Sequence, residues 1–139
     1  MLRTLRPADL PAVAKIWLAG NLSAHAFIPA SYWQSKLGAV TQAIAAAEVW
    51  VYADIDTPLG FIGLRDDYIA GLFVAEACRS RGIGRLLLNK AKAIHPTLSL
   101  DVYRKNNRAL AFYRREGFRQ ISSGQEPETK ETACRMLWP

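Results

Sequence analysis

The apolar residues of this 139-residue chain change their spacing near residue 49, and that change limits the folds open to it. In the first part of the chain, apolar residues recur at the spacing of one helical face, at Leu10, Val13, Ile16 and Trp17. From 49 to 55, apolar residues alternate with other residues, which is the pattern of a strand. Turns at 56–58 and 66–67 lead into two more strands, at 59–64 and 69–74. The pattern therefore predicts an antiparallel meander after a helical start.

The flanking segments complete a single α/β (α+β) domain over residues 1–139. Further strands are predicted at 2–6, 98–102, 118–122 and 133–138, and helices at 9–20, 32–47, 82–95 and 107–116. Asp9 is predicted to cap the first helix, and Gly117 to end the last helix in a left-handed conformation. The predicted order is β-α-α-β-β-β-α-β-α-β-β, with a mixed, mostly antiparallel central sheet flanked by helices.

Basic residues are concentrated in one segment of the chain. Residues 77–119 contain eleven Lys or Arg and two acidic residues, whereas the whole chain has a net charge of +6. Such a segment is typical of contact with an anionic partner, and a solvated basic face explains the charge equally well. An anionic cofactor and a nucleic acid are both open as partners on charge alone.

A connection rich in glycine and arginine indicates what the anion is. It reads Arg79-Ser80-Arg81-Gly82-Ile83-Gly84 and leads directly into a predicted helix. The first N–H groups of a helix have no helical acceptor and lie at its positive dipole end, so they favour phosphate groups. Glycines at 82 and 84 carry no side chain that would keep a pyrophosphate from the backbone. Positive charge is added by three arginines, Arg79, Arg81 and Arg85.

Several familiar sites are absent from the sequence. No G-x-G-x-x-G follows the strand and no G-x-x-x-x-G-K-S/T occurs, which argues against NAD and ATP. Cys78 and Cys134 form neither a disulfide framework nor a metal motif, so no metal is expected. No apolar stretch is long enough to span a membrane, and the N-terminus lacks a secretory signal. We therefore expect a cytoplasmic protein that does not associate with membranes.

A second motif begins 22 residues beyond Gly84, in the last predicted helix. It reads Asn106-Asn107-Arg108-Ala109-Leu110-Ala111-Phe112-Tyr113-Arg114-Arg115-Glu116-Gly117-Phe118. Together, the two segments closely resemble the GNAT N-acetyltransferase superfamily, whose signatures are R/Q-x-x-G-x-G/A and N-x-x-A-x-x-F-Y-x-x-x-G-F. The predicted order of elements also matches this fold over nearly the whole chain. Residues 24–28 and 32–33 further resemble small, uncharacterised bacterial GNAT enzymes.

The resemblance implies that acetyl-coenzyme A is the co-substrate, and it implies which residues hold it. The backbone of Leu72, Phe73 and Val74 would bond the pantetheine arm, which enters a gap between this strand and residues 98–103. An N–H group of the same strand would polarise the thioester carbonyl. Asn106 would bind the cofactor or fix the start of the last helix. The backbone N–H groups of Arg81, Gly82, Ile83, Gly84 and Arg85 would hold the pyrophosphate, and Arg79 and Ser80 would also bind the cofactor.

Two residues are catalytic candidates. Tyr113 matches the family's tyrosine that protonates the departing thiolate, although an aromatic residue at this helical spacing also suits a packed core. Asp101 occupies the strand position where some peptide-acetylating relatives have a glutamate base, and the alternative is a carboxylate paired with an arginine. A base or a water relay is useful, because a lysine-like amine is only on the order of 0.1% neutral at physiological pH.

Candidates for contact with the acceptor lie outside both motifs. The resemblance places His25 in a loop that lines the acceptor site, where it would bind the acceptor or relay protons. Trp33 and Tyr68 would shape the same pocket, with core packing as the alternative. The sequence leaves the acceptor open among protein lysines, N-terminal amines, polyamines, amino acids and drugs. It equally allows a monomer or a homodimer.

These features predict an acetyl-coenzyme A-dependent N-acetyltransferase. The acetyl group would pass to a primary amine, on a small molecule or a protein, by direct attack in a ternary complex. One alternative is a non-catalytic acyl-coenzyme A sensor that keeps the cofactor site. The other is a basic nucleic-acid-binding module that uses residues 77–119, but the segment has no recognised binding motif, so no nucleic acid is expected.

Overall fold

The computed structural model describes residues 1–139 and has the element order predicted from the sequence. The strands are β1 (Leu2–Thr4), β2 (Glu48–Asp54), β3 (Thr57–Arg65), β4 (Tyr68–Val74), β5 (Leu98–Tyr103), β6 (Arg119–Gln125) and β7 (Thr132–Trp138). The helices are α1 (Leu10–Ala24), α2 (Ala30–Ala46), α3 (Ile83–Ile94) and α4 (Asn107–Arg115). The predicted α/β class is confirmed. None of these helices has the length and apolar character needed to cross a membrane.

The seven strands form one sheet in the order β1-β2-β3-β4-β5-β7-β6. Every neighbouring pair is antiparallel except β4 and β5, which run parallel. These two strands pair only where Tyr68 meets Ser99, close to the start of each strand. Both strands are paired along their other edges, β4 with β3 and β5 with β7. The sheet therefore divides at β4 and β5, and the gap opens towards Val74 and Tyr103.

Apolar side chains cover both faces of the sheet, and each layer of helices has its own core. On one face, α3 packs Leu87, Leu88 and Ala91 against buried side chains that include Ile62, Leu100 and Met136. On the other face, α1 and α2 pack against β2 and β3 through Val13, Ile16, Trp17, Trp33 and Ile44. Each fully buried large apolar side chain contributes roughly 1.5–3 kcal/mol to stability. The two layers hold the divided sheet between them.

The start of α1 differs from the prediction, because Asp9 does not cap the helix with its side chain. The Asp9 carboxylate instead accepts hydrogen bonds from the Arg3 guanidinium, at 2.6 and 3.0 Å, and from the Arg6 N–H group at 2.8 Å. Asp9 is 5% exposed, and the hydrogen bond from Arg3 holds its pKa below the ordinary value despite that burial. Asp9 therefore joins β1 to the start of α1.

The end of α4 follows the prediction. Gly117 has a φ of +94°, a left-handed conformation that favours glycine. The Lys92 ammonium of α3 donates a 2.6 Å hydrogen bond to the Glu116 carbonyl, and it also lies over the rings of Phe118 and Trp138. A cation at the carbonyl end of a helix interacts favourably with the helix dipole. Lys92 therefore fixes α4 against α3.

Gly20 allows α1 to lie directly on β4. A Cβ atom at this position would come within 2.6 Å of Phe73 Cδ1, a distance that real Cβ contacts do not adopt. Phe73 in turn stacks on Phe61, with ring centroids 5.8 Å apart. The placement of β4 therefore depends on Gly20 of α1, which lies outside both sequence motifs.

We expect Gly20→Ala to destabilise the fold, because the overpacking at Phe73 outweighs the better helix propensity of alanine. The expected net loss is about 1–2 kcal/mol, measured by urea unfolding. Gly38→Ala is the matched control, since Gly38 also lies within a helix but a Cβ there would meet nothing within 4 Å. That variant should gain up to about 1 kcal/mol. Equal gains in both variants would contradict the close contact of α1 with β4.

Candidate functional site

A cavity of about 1450 Å³ follows the gap between β4 and β5. One wall comes from the start of α3 and from α4, and the opposite wall comes from the end of α1 and from Trp33 of α2. Ser122 to Glu126 and Arg135 close the far side. The cavity therefore joins the predicted phosphate-binding connection to the predicted acceptor residues.

The connection before α3 presents free backbone donors at one end of this cavity. None of the six N–H groups of residues 80–85 donates to a protein acceptor. Ser80 has a φ of +66° and Gly82 a φ of +81°, so left-handed residues alternate with Arg81 along the connection. Successive N–H groups in such turns, followed by a helix start, form a concave site for an anion. The residues present fit a pyrophosphate.

The two glycines of the connection differ in why they suit this site. Gly82 requires its positive φ, although a Cβ there would meet nothing within 4 Å. Gly84 has no such constraint, and a Cβ there would make only ordinary contacts, 3.7 Å from Phe112 Cζ and 3.9 Å from Val74 Cγ2. Internal packing thus does not require glycine at 84, whose backbone lines the cavity. Glycine at 84 is explained if a ligand must come close to the backbone there, where any side chain would keep it away.

Basic side chains surround the same end of the cavity. Arg79 and Arg85 line it, and Arg85 also lies 3.5 Å from the Glu116 carboxylate. Arg81 is the one residue predicted to hold the pyrophosphate that does not line the cavity. Arg108 and Arg115 of α4 also line the cavity and were not predicted. Four arginines of the 77–119 segment therefore line the cavity on this side.

The middle of the cavity is bounded by the unpaired edge of β4. Leu72, Phe73 and Val74 line the cavity, as expected, and β5 does not pair with them. The register of β3 and β4 pairs Gly63 with Gly71 and Leu64 with Ile69, which leaves Ala70 without a partner. A bulge of this kind turns backbone groups out of the regular ladder. The bulge at Ala70 lies in the cavity wall and has no mark in the sequence.

Tyr113 reaches this cavity from α4 while most of its side chain is buried. The residue is 8% exposed and packs edge to face on Phe112 and Phe118, with ring centroids 5.1 and 5.4 Å away. Burial raises the pKa of Tyr113 above its ordinary value. The phenol therefore stays protonated at neutral pH, which suits a hydrogen-bond or proton donor. The aromatic packing predicted as the alternative is also present.

Asp101 is held by two neighbours on the β5 side of the cavity. Arg135 donates to its carboxylate through Nε at 2.8 Å and through a terminal nitrogen at 2.9 Å, and Tyr68 donates through its hydroxyl at 2.8 Å. Burial alone would raise the pKa of Asp101, but the hydrogen bonds from Arg135 and Tyr68 lower it overall. Burial and the bond to Asp101 raise the pKa of Tyr68 to about 12. Asp101 is thus paired with an arginine.

The acceptor candidates lie at the other end of the cavity in an aromatic cluster. Trp33 packs against Trp17, His25 and Tyr103, with ring centroids 5.9, 5.5 and 6.3 Å away. Both ring nitrogens of His25 are within hydrogen-bond distance of protein atoms. The Glu126 carboxylate accepts a 2.8 Å hydrogen bond from the Tyr103 hydroxyl and lines the mouth. Trp33 and His25 are therefore cavity walls that also belong to the packed core.

Sequence reasoning missed several residues of the site. Arg135 had a signal, because it alternates with buried Cys134 and Met136, but its partner could not be read without the β5–β7 register. Asn21 stands one helical turn before His25, which is a spacing that allows contact. Glu126 gave no signal. No group of three or more His, Cys, Asp or Glu side chains is placed to hold a metal ion.

Comparison with known proteins identifies the family. A family model described as an acetyltransferase (GNAT) domain matches residues 45–120. The chain belongs to the GNAT acetyltransferase family. Its activity is the transfer of an acetyl group from acetyl-coenzyme A to an amine, so the alternatives of a sensor and a nucleic-acid-binding module are not favoured.

Individual relatives agree with this membership. A peptidyl-lysine N-acetyltransferase of Escherichia coli K12, YiaC, is 35% identical over 141 residues, which cover 100% of this chain and 97% of the relative. The solution structure of apo YjaB from Escherichia coli has a TM-score of 0.88 at 24% identity, over 99% and 95% of the two chains. A Bacillus anthracis acetyltransferase described as a streptothricin acetyltransferase, in complex with acetyl-coenzyme A, has a TM-score of 0.59 at 22% identity, over 66% and 61%.

We expect replacement of Gly82 and Gly84 by valine to abolish binding of acetyl-coenzyme A. Valine cannot adopt the positive φ at 82 without strain, and its side chain at 84 would keep the pyrophosphate from the free N–H groups. Binding is measured by calorimetry and by the shift in Tm that the cofactor produces. Gly124→Ala is the control. A Cβ at Gly124 would meet nothing within 4 Å, and Gly124 lies on the far side of the cavity from the glycine-rich connection. Unchanged affinity for acetyl-coenzyme A in the double variant would contradict the assignment of the phosphate site to this connection.

Proposed function

We propose that this GNAT acetyltransferase acetylates the ε-amine of lysine side chains in other proteins, by direct attack in a ternary complex. The observation that carries the proposal is the continuous cavity, which leads from the free N–H groups of residues 80–85 to an open mouth beside His25 and Glu126. A full-length relative that is named a peptidyl-lysine N-acetyltransferase supports the choice of acceptor.

The phosphate end and the unpaired edge of β4 divide the work of holding acetyl-coenzyme A. The N–H groups of residues 80–85, with Arg79 and Arg85, bind the pyrophosphate. Backbone groups of Leu72 to Val74 bind the pantetheine arm along the edge that β5 leaves free. An N–H group on this strand donates to the thioester oxygen, where negative charge develops during attack. The co-substrate supplies the activated acetyl group.

Tyr113 acts as the acid in this proposal. Its hydroxyl donates a proton to the sulfur as the carbon–sulfur bond breaks, so that the leaving group departs as a thiol. A raised pKa keeps this proton in place until negative charge forms on the sulfur. Because the ring is packed by Phe112 and Phe118, its hydroxyl has a fixed position in the cavity.

Asp101 orients a water molecule that relays the proton of the attacking amine to solvent. The ion pair with Arg135 weakens the carboxylate as a base, so direct abstraction from an ammonium group is unfavourable. The same pair fixes the carboxylate, which can then orient a water between itself and the amine. Tyr68, which donates to Asp101 and has Arg65 and Arg135 about 5.5 Å from its ring centre, holds this group in the cavity wall.

The mouth of the cavity suits a long amine that projects from a protein surface. Exposed residues surround it, including Ala24, Lys105 and Gln125. Glu126 attracts a cationic group, and the aromatic walls contact the methylene stem of a lysine. A desolvated amine has a lowered pKa, which increases its neutral, nucleophilic fraction. Two free, buried cysteines, Cys78 and Cys134, are consistent with the reducing cytoplasm as the proposed compartment.

We expect the protein to acetylate a peptide that has an internal lysine and a blocked N-terminus. A matched peptide with arginine in place of lysine should be inert, because its guanidinium stays charged. Thiol release gives the rate, and mass spectrometry locates the acetyl group. Acetylation of a free N-terminus alone, or of polyamines alone, would contradict the proposed acceptor while leaving acetyl transfer intact.

We expect Tyr113→Phe and Asp101→Asn to give different pH profiles in single-turnover assays, which report the chemical step. Tyr113→Phe should lower the rate about 10²-fold or more across the pH range, with little change in cofactor affinity. Asp101→Asn should lower the rate most at low pH and recover at high pH, where solvent supplies neutral amine. Arg135→Gln is the comparison variant. It removes the hydrogen bonds that lower the pKa of Asp101, so the acidic limb of the pH–rate profile should move to higher pH. Unaltered rates in both principal variants would sink this assignment.

A further inference from the structure

We infer that His25 is a positioning residue, which acts as a fixed, neutral hydrogen-bond acceptor that orients Asn106 and so sets the start of α4. This helix carries Tyr113, so the inference rests on the proposed role of that tyrosine in acetyl transfer. It replaces the two roles predicted from the loop position of His25, which were contact with the acceptor and relay of protons.

The inference begins from a chain of four hydrogen bonds that crosses the cavity wall. Asn21 Nδ2 donates to the Trp17 carbonyl at 3.0 Å, and Asn21 Oδ1 lies 2.9 Å from His25 Nδ1. His25 Nε2 lies 3.1 Å from Asn106 Nδ2. Asn106 Oδ1 accepts from the Ala109 N–H group at 3.1 Å, which caps the start of α4. The end of α1 is thus joined to the start of α4, although His25 and Asn106 are 81 residues apart.

The two backbone partners settle which nitrogen of His25 carries the proton. Asn21 uses its amide nitrogen on the Trp17 carbonyl, so its oxygen faces Nδ1, which must donate. Asn106 uses its oxygen on the Ala109 N–H group, so its amide nitrogen faces Nε2, which must accept. An asparagine amide has one acceptor oxygen and one donor nitrogen, so neither group can be reversed without losing a backbone bond. His25 is therefore the Nδ1–H tautomer.

The surroundings of His25 keep it neutral. The residue is 9% exposed, and its ring packs on Phe27, Trp33 and Tyr103 with centroids 5.7, 5.5 and 4.9 Å away. Burial lowers the pKa of His25 to about 4, and the opposing charge of Glu126 does not restore it. Two other polar groups border this cluster: the Tyr103 hydroxyl, bonded to Glu126, and the Lys105 ammonium, 5.4 Å from the centre of the Phe27 ring.

A neutral His25 with both nitrogens engaged cannot relay protons at neutral pH. A relay needs a group that gains and loses a proton near the working pH and has a nitrogen free for the acceptor. What His25 can do is hold Asn106, whose amide is bonded at both its oxygen and its nitrogen. Because Asn106 is the first residue before α4, its orientation sets the direction of the helix on which Tyr113 lies.

The tautomer can be tested in the unmodified protein by nitrogen NMR of labelled histidine. We expect the His25 ring to show the neutral Nδ1–H form at pH 7 and to begin titrating only below about pH 5. A neutral Nε2–H form, or a titration midpoint for His25 close to 6.5, would overturn the inference. No substitution is needed for this measurement. This measurement does not depend on turnover, so it is separate from the test of Tyr113.

The positioning role can be tested by variants that keep the helix cap. Asn106→Ser retains an oxygen for the Ala109 N–H group but has no amide nitrogen to reach His25, so it removes the contact while preserving the cap. His25→Leu removes the acceptor at similar volume, whereas His25→Gln keeps a polar group. We expect Asn106→Ser and His25→Leu each to lower kcat about 10- to 100-fold, with His25→Gln partly restoring it. The KM for the amine should change less than about 3-fold in each of these variants, because His25 does not bind it.

The combined variant His25→Leu/Asn106→Ser discriminates further. Two residues that act as one unit give losses that do not multiply, so the combined variant should be no slower than the worse single variant. A raised KM for the amine with unchanged kcat would instead show that His25 contacts the acceptor. Should Tyr113→Phe leave the rate unaltered while the NMR result holds, the proposed acid would be wrong and the orientation of Asn106 would stand.

Discussion

The site depends on two parallel strands that meet at one residue pair and then separate. β4 and β5 are joined where Tyr68 faces Ser99, and each strand keeps a full partner along its outer edge. A gap inside a sheet leaves backbone donors and acceptors without partners, and buried groups of this kind are costly. The gap persists because α1 and α3 pack on opposite faces of β4, and because Leu98, Leu100 and Val102 anchor one face of β5 in the core. A ligand with its own amide groups can complete the ladder that the sheet leaves open.

At the phosphate end, too, features that would bind a ligand make the free protein less stable. Six consecutive N–H groups lack protein acceptors, and Ser80 adopts a left-handed conformation that costs a non-glycine residue of order 1–2 kcal/mol. These features weaken the free protein locally. They are tolerated because Cys78 and Ile83, on either side of the connection, are buried in the core. The connection is therefore set in shape before any anion arrives.

Much of the fold followed from the sequence, and most residues predicted to hold the co-substrate line one cavity, because both predictions rest on local patterns. Alternation of apolar residues predicted the meander, and glycines and arginines marked the start of α3. Two contacts that were missed join distant segments. Asp101 and Arg135 meet only through the β5–β7 register, and His25 meets Asn106 across the cavity. Asp9 was predicted as a cap because aspartate favours that position, but the neighbouring strand offered it Arg3 instead.

The two sides of the cavity come from different parts of the chain. Residues 45–120, which match the family, include β4, α3, β5 and α4, and so include every group proposed to hold the co-substrate. Much of the wall at the proposed acceptor end comes from 17–33 and 122–135, before and after that segment, and Tyr68, Asp101 and Tyr103 from within the segment complete it. Mutations in the flanking segments that spare His25 and Arg135, which hold Asn106 and Asp101, can thus change which amine is accepted without disturbing the proposed catalytic groups. A preference for a new target can therefore evolve through changes in the flanking segments while residues 45–120 stay the same.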